Sequence, residues 1–209
     1  MTIEIISLSP SNSGSEIRIA VEITEGGNTE KNVFYLLTGQ VSELGLHVGE
    51  IDRETYERIF SASELCAAVK KGFASLGYGA CSEKNMRVKL RSKGFSREAA
   101  EKAAAYLSNN GYIDEKRDAV REAENCIAKQ WGIRRIKSHL LSKGYNEKAV
   151  AAAIEDISDT DFTKNCAMVI KKRYGNVPDD RNTIAKITGA MMRMGYTSAE
   201  VRQALSLLT

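Results

Sequence analysis

Apolar positions recur along most of this chain with a period close to fifty residues. Each copy centres on a glycine followed by an aromatic residue: Lys93-Gly94-Phe95, Lys143-Gly144-Tyr145 and Met194-Gly195-Tyr196, with the glycines 50 and 51 residues apart. Eight and four residues before the glycine stand Met86 and Leu90, Ile136 and Leu140, Ile187 and Met191. Six, ten and thirteen residues after it stand Ala100, Ala104 and Leu107, then Val150, Ile154 and Ile157, then Val201, Leu205 and Leu208. Each set of offsets falls on one face of a helix. The glycine sits where a helix end favours positive φ. Two residues later Ser96, Asn146 and Thr197 offer N-cap oxygens. Thr197 and Glu200 also form a capping box. The pattern predicts helix, tight turn, helix in every copy, with a further helix ahead of each pair over roughly 63–77, 115–130 and 159–173. A three-helix module of about fifty residues is near the lower limit for burying its own core, so stacking against neighbours is expected.

The first sixty residues follow a different rhythm. Ile3-Glu4-Ile5-Ile6, Ile17 to Ile23 and Val33-Phe34-Tyr35-Leu36-Leu37 are β-branched or aromatic runs, and the middle one alternates with period two. Ser11-Asn12-Ser13-Gly14-Ser15 and Glu25-Gly26-Gly27-Asn28 are turn-rich connectors. They predict a small three-stranded antiparallel sheet, with the chain turning helical from Asp52 to Ile59 and Ser61–Ser63 capping the first long helix. The expected fold is mainly α, a tandem array of three-helix repeats behind a small antiparallel β-rich N-terminal piece. The segments are 1–60, then repeats at 61–110, 111–158 and 159–209.

Charge sharpens this division. The net charge is +3, but residues 1–60 carry 10 acidic and 4 basic side chains while the rest carry 17 and 26. An acidic head on a basic array points to a negatively charged partner, nucleic acid or an acidic protein surface. No apolar run approaches the roughly 18 residues of a membrane span, and Met1–Pro10 lacks a basic, signal-like start. A soluble, cytoplasmic protein without membrane contact is expected. The cysteines, Cys66, Cys81, Cys126 and Cys166, are scattered without a Cys-x-x-Cys pair, which favours buried free thiols over a metal site or disulfide framework.

No constellation of catalytic type emerges. His47 and His139 have no sequence partner for a metal site or dyad. Gly77-Tyr78-Gly79 lacks the strand and Gly-Lys-Ser/Thr context of a phosphate loop and reads as a helix end before the Ser82 cap. Asp114-Glu115 and Asp179-Asp180 stand at helix starts, where the macrodipole favours acids. The expectation is a protein that is not an enzyme and takes no cofactor or metal.

Basic clusters are the stronger signal. From Lys84 to Lys93 there are five basic and no acidic residues, with Lys84, Arg87 and Arg91 opposite the Met86/Leu90 face and Lys89 and Lys93 nearby. The second copy carries Arg134, Arg135, Lys137 and Lys143; a third cluster is Lys171-Lys172-Arg173, with Lys186 and Arg193 beyond. A solvated helix face explains one such cluster. Recurrence in equivalent helices favours anion binding, with salt-dependent affinity as its signature. Thr188 and Ala185 replace Arg87 and Lys84 in the third copy, so the first two copies are the stronger candidates.

Gly111-Tyr112-Ile113-Asp114-Glu115, followed by Trp131-Gly132-Ile133-Arg134-Arg135-Ile136-Lys137 and Leu140-Leu141-Ser142-Lys143-Gly144-Tyr145, resembles the core signature of the RecX family. Ser82-Glu83-Lys84-Asn85-Met86, leading into Leu90-Arg91-Ser92-Lys93-Gly94-Phe95, is similar to the family's first repeat, and the likeness covers about residues 62–209. Asp118 departs from it, since an aromatic residue is common there. The resemblance implies an elongated, curved array of three-helix repeats that regulates the RecA recombinase. It would bind as a monomer in the groove of the RecA filament on single-stranded DNA and inhibit recombination, ATP hydrolysis and co-protease activity. The resemblance therefore implies roles in DNA repair and the SOS response. The alternative is a stand-alone helix-turn-helix-like DNA-binding protein.

Overall fold

A computed structural model describes residues 1–11, 14–175 and 180–208. Asn12 and Ser13 of the first connector, and Asp179 of the second acidic pair, lie outside the described residues. The chain forms two compact units, Met1–Gly79 with Lys84–Ile113 and Ala80–Glu83 with Asp114–Thr209.

The first unit opens with strands β1 (Thr2–Pro10), β2 (Glu16–Glu25) and β3 (Asn28–Leu37). Gly26 and Gly27 both have positive φ, at 57° and 86°, and join β2 to β3 with Glu25 facing Asn28. Two left-handed glycines suit a two-residue hairpin because their twist matches that of the strands. The sheet has four strands rather than the expected three, in the order β3-β2-β1-β4 and antiparallel throughout. The added strand, β4 (Gly49–Ile51), pairs Ile51 with Ile3 and Gly49 with Ile5. Three residues are too few to display alternation, so it left no trace in the pattern. A short helix, α1 (Thr38–Glu43), was likewise unforeseen.

Helix α2 (Arg53–Leu76) also departs from expectation. Asp52 caps it by accepting from the Thr55 N–H at 2.7 Å, and the helix then runs straight through residues 60–63. No glycine or proline interrupts residues 53–71, and Ser63, instead of capping, accepts a hydrogen bond from the Tyr35 N–H. One helix therefore serves both the sheet and the first repeat. Its start closes the sheet core of Ile3, Ile5, Ile19, Val21, Phe34 and Leu36 with Ile59 and Ala62. Phe34 meets Tyr56 and Phe60 edge-on. Further along, Lys70 pairs with the buried Glu16 of β2 at 2.9 Å. α2 then packs on α4 (Arg97–Asn109), with α3 (Glu83–Ser92) inserting Met86 and Leu90.

The second unit repeats the plan with α5 (Glu115–Ala128), α6 (Ile133–Ser142) and α7 (Glu147–Asp156), then α8 (Phe162–Tyr174), α9 (Arg181–Arg193) and α10 (Ser198–Ser206). α5 packs on α7 and α8 on α10, as α2 packs on α4. The inward positions before each turn, Ile136, Leu140, Ile187 and Met191, are fully buried. Ser96, Asn146 and Thr197 each accept from the backbone N–H three residues on, and Thr197 and Glu200 complete their capping box. The three turn glycines have φ of 92°, 77° and 94°. No helix among the described residues is long and apolar enough to cross a membrane.

Candidate partner-binding surface

Burying Met86 and Leu90 turns most of the α3 cations outward. Lys84, Lys89, Arg91 and Lys93 are exposed and Arg87 is half-buried. At about 100° per residue they divide into two flanks. Lys84, Arg87 and Arg91 share one flank, where Arg87 and Arg91 add to the positive field at Glu101. The Glu101 carboxyl lies below its ordinary value, chiefly through its hydrogen bond with Arg97. Lys89 and Lys93 lie across the helix, beside Lys71 and Tyr78 of the α2 end. The sequence cluster thus becomes two surfaces, and it gave no hint of Lys71. The sequence marks Tyr78 only as part of a helix terminus.

In the second unit the turn after α9 holds the start of α6. The Gly132 N–H donates to the Met194 carbonyl at 2.9 Å, and the Arg134 N–H to that of Gly195 at 3.1 Å. These satisfy donors that a helix N-terminus otherwise leaves open. The Tyr196 hydroxyl donates to the Gln130 carbonyl at 2.9 Å, and burial raises its pKa. The other turn docks in a related way: the Ser82 hydroxyl donates to the Lys143 carbonyl at 2.8 Å.

Arg134, Arg135 and Lys137 all project into solvent from the first turns of α6, which carry no acid. Cations beside a helix N-terminus oppose the macrodipole, so this arrangement concentrates positive potential at a cost to the helix. The Arg135 guanidinium stacks 3.9 Å from the centre of the Trp131 ring, and Lys129 lies 5.7 Å from it. Lys143 is different. Its ammonium is 2.9 Å from the Glu122 carboxylate, which His139 Nε2 also reaches at 2.7 Å.

The structure corrects the view of His139 as partnerless, since folding brings it to Glu122, Cys126 and the Trp131 edge. The partners come from α5, which the histidine's own sequence neighbourhood could not reveal. Glu122, Cys126 and His139 place potential ligand atoms within 4.8 Å of one another. Burial, however, pushes the Cys126 thiol up, Lys143 already balances the Glu122 charge, and His139 Nε2 is hydrogen-bonded to the same carboxylate. The cluster works as an internal clasp between α5 and α6. Asp118 is buried and lies 3.3 Å from Arg121 and 3.8 Å from Arg117. Ion pairing thus replaces the aromatic packing expected at that position.

No family model matches the chain. A protein named regulatory protein RecX from Xanthomonas campestris pv. campestris (strain B100) is 29% identical over 124 residues, covering 59% of this chain and 76% of that one. Another of that name from Clostridium acetobutylicum is 24% identical over 176 residues, covering 81% and 78%. Among solved structures, a regulatory protein RecX superposes with a TM-score of 0.76 at 20% identity, covering 98% of both chains. RecX from Lactobacillus salivarius gives 0.62 at 20% identity, over 70% of this chain and 97% of that one. The chain is thus similar in sequence to proteins named regulatory protein RecX and shares the fold of solved RecX structures.

Proposed function

We propose that this chain is a non-catalytic cytoplasmic regulator of the RecA recombinase. It binds the RecA–single-stranded DNA filament as a monomer and restrains strand exchange, ATP hydrolysis and co-protease activity, and through them DNA repair and the SOS response. The relatives' name, regulatory protein RecX, supports a regulatory role. The observation that carries the reading is the acid-free start of α6, where Arg134, Arg135 and Lys137 face solvent against the macrodipole. Sequences usually break a local rule where function requires it. Lys84, Arg87 and Arg91 supply a second cationic surface on α3. The turns do not lead into helices suited to reading a duplex. α4 buries Ala99, Ala100, Ala103 and Ala104 and α7 buries Ala149 and Ala153, and glutamates are prominent among the residues left outside.

The test is a titration of RecA ATP hydrolysis and strand exchange with the chain at low salt. Inhibition at substoichiometric to stoichiometric amounts is expected, and it should weaken as salt rises. No effect at stoichiometry would overturn the proposal. Arg87→Glu combined with Arg134→Glu is expected to weaken filament binding at least about tenfold while leaving the helical circular-dichroism signal intact.

A further inference from the structure

We propose that the depression between the end of α2 and the last turns of α3 binds single-stranded nucleic acid, with the Tyr78 ring stacking on a base and Lys71, Lys89 and Lys93 holding the neighbouring phosphates. Tyr78 is 95% exposed, yet the turn that carries it is firmly built. The N–H groups of Gly77, Tyr78 and Gly79 donate to the carbonyls of Phe73, Ser75 and Leu76 at 3.1, 3.3 and 3.0 Å. Gly79 adds a φ of 144°, a conformation other residues rarely adopt. The ring is therefore presented by an ordered backbone and leaves both faces available.

Beside it lies a concavity of about 430 Å³, lined by Lys71, Ala74, Ser75, Lys89 and Lys93 as well as Tyr78. Among the described residues no carboxylate lies within ion-pair distance of any of the three lysines. Three unneutralised ammonium groups around a free aromatic face match the two demands of a single strand. One is counter-charge along the backbone; the other is a platform for an unstacked base. Lysine, a point charge on a flexible stem, suits phosphates that follow no fixed fork geometry. A duplex would keep its base faces stacked away from the ring. All of the site's lining residues belong to the first unit. It deepens the proposed function by naming a strand contact but does not depend on RecA.

The test uses the full chain without RecA, at low salt, with a fluorescein-labelled oligothymidylate followed by anisotropy. Tyr78→Ala is expected to weaken binding roughly 5- to 100-fold, whereas Tyr78→Phe keeps it within about threefold, since stacking needs the ring and not the hydroxyl. Lys93→Gln should reduce the salt slope by about one. A matching oligouridylate tells which sugar the site takes, and whichever strand binds must do so through Tyr78. Unchanged binding by Tyr78→Ala would overturn the site. So would duplex affinity equal to that for the single strand, or Tyr78-dependent binding of polyglutamate without oligonucleotide binding. Tyr78-dependent strand binding with no effect on RecA would defeat only the proposed function. RecA inhibition with strand binding indifferent to Tyr78 would defeat only this inference.

Discussion

At the scale of single residues, Gly132 and Gly195 are glycines for a reason beyond the ending of a helix. A Cβ on Gly132 would collide with the Gly195 backbone, and one on Gly195 with Arg135. Gly94 has the same left-handed φ but open space where its Cβ would go. Gly195→Ala is therefore expected to cost about 3 kcal/mol or more, combining strain with overpacking. Gly94→Ala should cost only about 1–2 kcal/mol. Equal losses in urea denaturation would show that docking of the turn contributes nothing. Glu122 gives a prediction in pH. Burial pushes its carboxyl up, but hydrogen bonds from Lys143 and His139 outweigh this and hold it below the ordinary range. A depressed carboxylate stabilises the fold above its unfolded pKa of about 4.3, and that contribution disappears as pH falls through the folded value. Glu122→Gln should lower stability at pH 7 and flatten its loss below about pH 4.3. An unaltered melting profile across that range would remove the clasp from the stability account. The cysteine pattern favours buried thiols, and all four cysteines are buried thiols. The clasp was hidden because its members come from different helices.

Between elements, a glutamate on the first helix of a repeat holds the start of the third. Glu64 accepts from the Ser96 N–H and hydroxyl at 2.7 and 2.8 Å, and Glu115 from the Asn146 N–H and side-chain amide at 2.8 and 2.6 Å. Glu115 also accepts from the Glu83 N–H at 2.9 Å. In the third repeat Glu200, on α10 itself, takes over through the capping box. The sequence displayed the caps because they are local, with an oxygen three residues from its donor. It concealed the glutamates, which act across about thirty residues. Glu115→Ala is expected to cost roughly 1–3 kcal/mol, more than removal of an ordinary exposed acid, because charge-assisted bonds to three donors disappear. A shift in the urea midpoint no larger than that of Glu147→Ala would contradict the clamp. The same contrast between local and distant information governs the helices. Turns marked by glycine and cap are legible, whereas β4 depends on pairing that no local pattern encodes; α2 runs on because nothing in residues 53–71 breaks it and Ser63 is engaged by Tyr35.

Across the first unit, the acidic sheet is joined to the first repeat by shared core and shared helix. Both sequence and structure distinguish a β-rich head, but a helix start at Ser61–Ser63 would divide what α2 makes continuous. Removing residues 1–60 would delete the sheet, the Asp52 cap and the opening turns of α2 together with Ile59. Lys70 would lose Glu16, and the flank of Ala62 and Cys66 would lose its cover. Cys66 makes the consequence measurable. Burial, reinforced by the nearby Glu16 charge, holds its thiol up at about 11, so the intact protein should react slowly with a thiol reagent at neutral pH. The truncated chain is expected to expose Cys66, label it at least about tenfold faster and melt at a lower temperature. Mass spectrometry of the labelled peptide would identify the site. If truncation left both labelling and melting unchanged, the sheet would be an appendage. Its negative charge would then have to act on the partner rather than through the fold.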